Sequence, residues 1–273
     1  MKRFPALVAL FFASALPAAD GPVFLEKNGV VAIEAESTGS RLGKWIQKKD
    51  VAGFSGECHL EFTGNKPESG PAHSPLEYSF KISKPGIYQL TLRARKRLES
   101  KREDISNDCY VAVEGDFEAG GEASLKILRE DNKMFGGTAD GWAWATQLDV
   151  EHKKFPALYR FKEGETYRLT ISGRSRNFNL DRILLVHEAE DLRKVQNKNP
   201  AESPREGGGS IGSKLPPRLT KRTLTNAEGK TIEAELIGKN GDTLVALVRG
   251  TRFEIPISSL SQSDQEYLKD WEP

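Results

Sequence analysis

From Val31 to about His187 the chain alternates apolar and polar residues in short runs. Ile33-Glu34-Ala35-Glu36 alternates after Val31 and Ala32, and Leu76 to Ile82 does so without a break. Tyr88, Leu90, Leu92 and Ala94 share one face, opposite Gln89, Thr91, Arg93 and Arg95. Tyr167, Leu169 and Ile171 repeat the pattern. A period of two over such runs predicts strands with one face on a core and the other in water. Lys84-Pro85-Gly86, Gly136-Gly137 and Glu163-Gly164-Glu165 separate the runs as turns. No run of similar quality has helical spacing. Many short antiparallel strands predict an all-β sandwich or jelly roll over residues 20–190.

The pattern then changes. Residues 191–217 carry Pro200, Pro204, Gly207-Gly208-Gly209, Pro216 and Pro217 with few apolar positions. This composition predicts a flexible linker. Gly207 to Lys214 fails as a phosphate loop, because Lys does not directly follow Gly212 and no strand precedes it. Residues 218–273 form a second unit. Thr231–Ile237 and Thr243–Val248 flank Asn240-Gly241, the dipeptide that best tolerates a tight hairpin turn. Phe253–Ile257 supplies another strand. Ser261 or Ser263 caps a short final helix, which Tyr267, Leu268 and Trp271 pack onto the sheet.

Within 273 residues, Lys and Arg total 40 and Asp and Glu 39. That balance gives no support to general nucleic-acid binding. Lys2-Arg3, the apolar run Ala6–Ala15 and the small residues up to Ala19 predict a cleaved signal peptide over residues 1–19. Cleavage leaves 38 basic and 39 acidic residues, a net charge of about −1. No later stretch reaches the ~20 apolar residues of a membrane span. The chain is expected to be exported, to the periplasm or beyond the cell. Cys58 and Cys109 are the only cysteines. In an oxidising compartment they either pair as a disulfide or remain buried thiols.

Motifs for catalysis are missing. His59, His73, His152 and His187 form no metalloprotease pattern, and neither Gly-x-Ser-x-Gly nor Cys-x-x-Cys occurs. The expectation is that the chain is not an enzyme. Glu34 and Glu36 stand at i, i+2, which places both carboxylates on one strand face. Side by side they repel unless compensated. Either calcium, which favours oxygen ligands, or neighbouring Arg and Lys on a solvated face answers this. Trp142 and Trp144 are spaced the same way after a glycine-rich loop, and are either stacking platforms or core. Asn177, Asn179 and Asp181 alternate at the start of the last sandwich strand, able to bond a polyol or a metal, or to shape the turn.

Val31-Ala-Ile-Glu-Ala-Glu36, Lys84-Pro-Gly-Ile-Tyr88, Gly141-Trp-Ala-Trp144 and Asn177-Phe-Asn-Leu-Asp181, in that order, resemble carbohydrate-binding modules of families six and thirty-five. The resemblance spans about residues 28–188. It implies a galactose-binding-like β-sandwich with a structural calcium on Glu34, Glu36 and Asp181. It also implies a glycan site with Trp142 or Trp144 as platform and Asn177 as hydrogen-bonding partner. Such sites pair the Trp with a Tyr from an earlier loop. The equivalent stretch here, Cys58-His-Leu-Glu-Phe62, offers Phe62 instead. Arg222 to Ala234, Ile255-Pro-Ile257 and Leu260 to Asp264 resemble the SH3-like SLA homology domain type one, a small barrel that in endocytic adaptors binds a peptide.

Three functions follow as expectations. The first is exported, non-catalytic binding of a glycan or polysaccharide with a structural calcium. The second is a scaffold whose C-terminal domain binds a peptide or protein partner. The third is hydrolysis of a polysaccharide, for which two suitably spaced carboxylates suffice.

Overall fold

The structure is a computed structural model that describes residues 21–206, 220–240, 242–248 and 251–271. The expected signal peptide and residues 207–217 of the expected linker lie outside the described residues. The chain divides into two compact units, 1–210 and 211–273.

The first unit is built from β1 (Val23–Leu25), β2 (Val30–Glu34), β3 (Trp45–Lys48), β4 (His59–Phe62), β5 (His73–Lys81), β6 (Gly86–Lys96), β7 (Asp108–Glu114) and β8 (Glu118–Ala119). After α1 (Leu125–Arg129) come β9 (Asn132–Phe135), β10 (Ala143–Ala145), β11 (Gln147–Val150), β12 (Lys153–Pro156), β13 (Leu158–Phe161), β14 (Thr166–Gly173), β15 (Phe178–His187) and α2 (Leu192–Lys198). One sheet runs β1-β5-β14-β7-β9-β11-β12. The other runs β3-β4-β15-β6-β13-β8, with β2 added to β15 and β10 to β6. All pairs are antiparallel except β1 with β5. The alternating positions read from the sequence meet in one core: Tyr88, Leu90, Leu92 and Ala94 of β6 face Tyr78 and Phe80 of β5 and Tyr167, Leu169 and Ile171 of β14. This is a two-sheet β-sandwich.

β15 departs from simple alternation, since all ten of its residues are buried. Phe178, Leu180, Ile183 and Leu185 enter the core. Leu184 and Val186 face the other way, where they join Ala32, Trp144 and, from α2, Leu192 and Val195. The register of β15 on β6 slips between Leu180 and Arg182. Such a bulge lets two consecutive side chains reach one face, and Asp181 and Arg182 both serve the site described below.

Residues 191–206, expected to open a flexible linker, are instead bound to the sandwich. Asp191 caps α2 by accepting from the Lys194 N–H at 3.1 Å. Asn199 ends it in the left-handed region at φ 45. The following strap fills unpaired backbone sites on β1 and β2. The Leu25 N–H donates to Pro204 O at 2.7 Å, Glu206 N–H to Val23 O at 2.9 Å, and Ser203 N–H to Ala32 O at 2.8 Å. Ser203 Oγ in turn accepts from the Ala32 N–H at 3.0 Å. Arg182 reaches Asn199 Oδ1 at 2.7 Å and also bonds Pro200 O. Proline and polar residues thus serve a docked edge rather than a free coil.

The disulfide considered from the sequence is not present: Cys58 and Cys109 are both free and buried. Cys109 lies on β7 in one sheet, and Cys58 directly precedes β4 in the other. Facing sheets pack ~10 Å apart, beyond the Cα separation a disulfide spans. Burial pushes the Cys58 thiol up to about 12 and that of Cys109 well above its ordinary value, so both are inert packing groups.

The second unit is a four-stranded antiparallel sheet of β16 (Thr220–Thr225), β17 (Thr231–Asn240), β18 (Thr243–Val248) and β19 (Thr251–Pro256), followed by α3 (Gln262–Asp270). Leu224, Ala234, Leu236, Leu244, Ala246, Leu260 and Leu268 form its core, with Tyr267 and Trp271 against them. Ser261 caps α3, and Asp264 binds the Thr225 N–H at 2.8 Å and Arg222 at 2.9 Å, fastening helix to sheet. Among the described residues no helix is long and apolar enough to cross a membrane.

Candidate functional site

The outer face of the eight-stranded sheet carries the polar chemistry of the sandwich. Its deepest part is a cluster of three carboxylates. Glu34 ends β2, and residues 35–37 then form a 3-10 turn, so Glu36 does not continue the strand alternation. Glu34, Glu36 and Asp181 are nevertheless brought together beneath the 52–58 loop. Ser55 Oγ donates to Glu34 Oε2 at 2.6 Å and stands 3.2 Å from Asp181 Oδ2. The Ser55 N–H donates to Asp181 Oδ1 at 2.8 Å. Glu36 Oε1 accepts from the N–H groups of Glu57 at 2.5 Å and Cys58 at 3.2 Å. Gly56 permits this approach: its φ is +65, and a Cβ there would lie 2.2 Å from Glu36 Oε1.

The sequence pattern placed the glutamates on a strand face open to compensation by metal or solvent. The loop instead covers them, leaving Glu34 9% exposed, Glu36 6% and Asp181 fully buried. Burial pushes all three carboxyls up, Glu36 to about 7. Two guanidinium groups oppose this. Arg182 lies 3.3 Å from Glu34 and Arg93 lies 2.5 Å from Asp181. Glu36 Oε2 is buried with no hydrogen-bond partner. Among the described residues, no three His, Cys, Asp or Glu stand at metal-ligating separation.

Trp142 lies beside this cluster and is partly exposed. Its indole N–H donates to Ala52 O at 3.2 Å, on the loop that Ser55 pins down. The Arg93 guanidinium sits 5.6 Å from its ring centroid while bonding Asp181. The His59 ring meets it edge-on at 5.1 Å, with Phe54 on at 6.0 Å from His59. His59 is fully buried, with Nε2 3.2 Å from Asp50 Oδ1 and Nδ1 unpartnered. Burial pushes its imidazole below the ordinary value despite Asp50, so it is neutral near pH 7.

The other expected ligand residues take different positions. Trp144, opposite Arg93 in register, packs against Leu184, Val186 and α2. Asn177, at φ 67 and 2% exposed, shapes the turn into β15. Its N–H donates to Phe62 O at 2.7 Å, and its Oδ1 accepts from Arg97. Arg97 also grips Glu61 through two bonds of 2.8 and 2.9 Å. Burial raises the Glu61 carboxyl, but Arg97 outweighs it and the net shift is downward. Phe62 is core, 5.1 Å from Trp45. The aromatic partner of Trp142 is therefore His59, three residues earlier. Strand alternation contained this signal: Leu60 and Phe62 face the core, so His59 and Glu61 face outward. Ser55 and Arg93 had no comparable signal, because each gains its role only from partners distant in sequence.

The family model of the glycosyl hydrolase family 115 C-terminal domain matches residues 23–194. The chain belongs to this family. The match covers both sheets and ends within α2, so the strap and second unit lie outside the region matched to the family 115 C-terminal domain. No curated protein matches the sequence significantly. Solved structures similar to it include the GH26-CBM35 beta-(1,4)-mannanase of Podospora anserina, at 13% identity and TM-score 0.40, covering 60% of this chain and 29% of that one. A family 35 carbohydrate binding module from Clostridium thermocellum aligns at 14% identity and TM-score 0.36, covering 58% of this chain and 98% of that one. The C-terminal CBM6 of LamC from Zobellia galactanivorans aligns at 14% and 0.33, covering 57% and 98%. This chain thus spans less than a third of the mannanase.

Proposed function

We propose that the family 115 C-terminal domain in this chain is a non-catalytic carbohydrate-binding domain. The observation that carries the reading is Trp142: a partly exposed indole beside the carboxylate cluster, fixed by Ala52, Arg93 and His59. Sugars present apolar C–H faces and polar edges, which suit an aromatic platform ringed by hydrogen-bonding groups. The family's description as a domain of glycosyl hydrolases supports a polysaccharide ligand. Export through residues 1–19 belongs to the same proposal, and N-terminal sequencing of the mature protein tests it.

Calcium belongs to it as well. The donor set of Glu34, Glu36 and Asp181 is all oxygen, as a hard cation requires. Glu36 Oε2 has no partner, and burial, which raises all three carboxyls, favours added positive charge beside them. A bound cation would supply that charge and brace the 52–58 loop.

Affinity electrophoresis and calorimetry against a panel of soluble polysaccharides test the reading. One class of glycan is expected to bind, and Trp142→Ala to weaken it by about tenfold or more, the scale of one stacked ring. Retention of binding in a folded Trp142→Ala variant, or failure of the whole panel, overturns it. Calcium is expected to raise the unfolding midpoint of the wild type and not that of Glu36→Gln.

A peptide-binding reading of the SH3-like second unit has its own support. An apolar cleft of about 260 Å³, lined by Leu224, Ile232, Val248, Phe253, Ile255 and Leu260, opens on that unit. Phe253 is 47% exposed at its edge.

A further inference from the structure

We propose that Ser55 is a positioning residue that holds Trp142 in its binding orientation by latching the 52–58 loop to Glu34 and Asp181. The functional consequence rests on the carbohydrate reading above; the positioning itself does not. The chain of contacts is continuous. Ser55 contributes its Oγ and its N–H to two carboxylates at 2.6 and 2.8 Å. Three residues earlier, Ala52 O accepts the indole N–H. Gly53 lies against the ring between them, since a Cβ there would stand 3.9 Å from Trp142 Cδ1.

Beyond Ser55, the far end of the loop is tied by the Glu57 and Cys58 N–H groups to Glu36, while the Ala52–Gly53 end that meets the ring has no such anchor of its own among the described residues. Ala52, Gly53, Gly56 and Glu57 are exposed and contribute no core residue. Gly53 and Gly56 both adopt left-handed φ, at +79 and +65, and glycines lose the most conformational freedom on ordering. Ser55, at the centre of the loop, bonds both Glu34 and Asp181. Arg93 adds a second tie, joining Asp181 to the face of Trp142. An oriented ring binds without first being ordered, so the latch acts on affinity through pre-organisation.

The test uses the whole chain with the Ser55→Ala and Ser55→Thr variants. Its four tryptophans give four indole N–H resonances, and Trp142→Phe identifies the one from Trp142. In Ser55→Ala the Trp142 resonance is expected to shift and broaden, with those of Trp45, Trp144 and Trp271 unchanged. In Ser55→Thr, which keeps the hydroxyl, it is expected to return. Glycan affinity is expected to fall about tenfold in Ser55→Ala and recover in Ser55→Thr. An unmoved Trp142 resonance in Ser55→Ala overturns the latch. A shift of all four indoles also overturns it, because Ser55 would then support the fold at large. If no glycan binds the wild type, the carbohydrate reading fails, and the resonances still decide the latch.

Discussion

Glu36 combines three properties that rarely coincide: it is buried, it lacks a partner on one oxygen, and its carboxyl titrates near 7. Its ordinary value is 4.5. Between those limits the folded chain holds a proton that the unfolded chain releases. The stabilisation is therefore complete below about 4.5 and is lost as pH rises through about 7, by on the order of 3 kcal/mol. Burial moves Glu34 and Asp181 in the same direction. In chelator, the unfolding midpoint is expected to fall from about pH 5 to about pH 8, and Glu36→Gln to flatten much of that slope. The two tryptophans should separate cleanly. Trp142→Ala acts on ligand affinity, whereas Trp144→Ala empties the space under α2 and costs about 2 kcal/mol of stability by denaturant unfolding. Their i, i+2 spacing was legible in the sequence. What lay above each ring was not, because α2 and the 52–58 loop arrive from remote parts of the chain.

The strands of the sandwich were largely legible, since a period of two survives wherever one face is buried and the other wet. β5, β6 and β14 follow that rule. The outer side of β15 escaped it, because α2 and the strap cover that side with apolar residues. The strap itself was misread for a physical reason. Its stability comes from backbone groups and from Ser203, Arg182 and Glu202, none of which marks a segment as docked. Glu202 accepts the Glu34 N–H at 3.0 Å and pairs with Arg205 at 2.8 Å. Arg205 also lies over the Phe24 ring at 5.2 Å. A chain ending at Glu190 is expected to be about 2–4 kcal/mol less stable than one ending at Glu206, from several hydrogen bonds of about 1 kcal/mol each. Chemical denaturation of the two fragments checks this, and equal stability would mean that the strap only rests on the surface.

Each of the two units has a core of its own, and the contrast in size sets their tolerance of change. Among the described residues, a core cluster of seven buried side chains holds the second unit, so Leu236→Ala, expected to cost about 3 kcal/mol, should remove most of its stability. Far-ultraviolet circular dichroism of residues 218–273 checks that outcome. In the sandwich, the strap has a mechanical consequence. It runs antiparallel to β1, with Arg205 opposite Phe24, and Glu206 is bonded to Val23. Tension applied to the chain before Val23 and after Glu206 therefore loads these bonds one at a time, from Glu206 to Pro204 to Ser203, as in a zip. A domain that grips a solid polysaccharide while its other end is pulled would yield first at this seam, at low force, and would leave the two-sheet core and the Trp142 face intact.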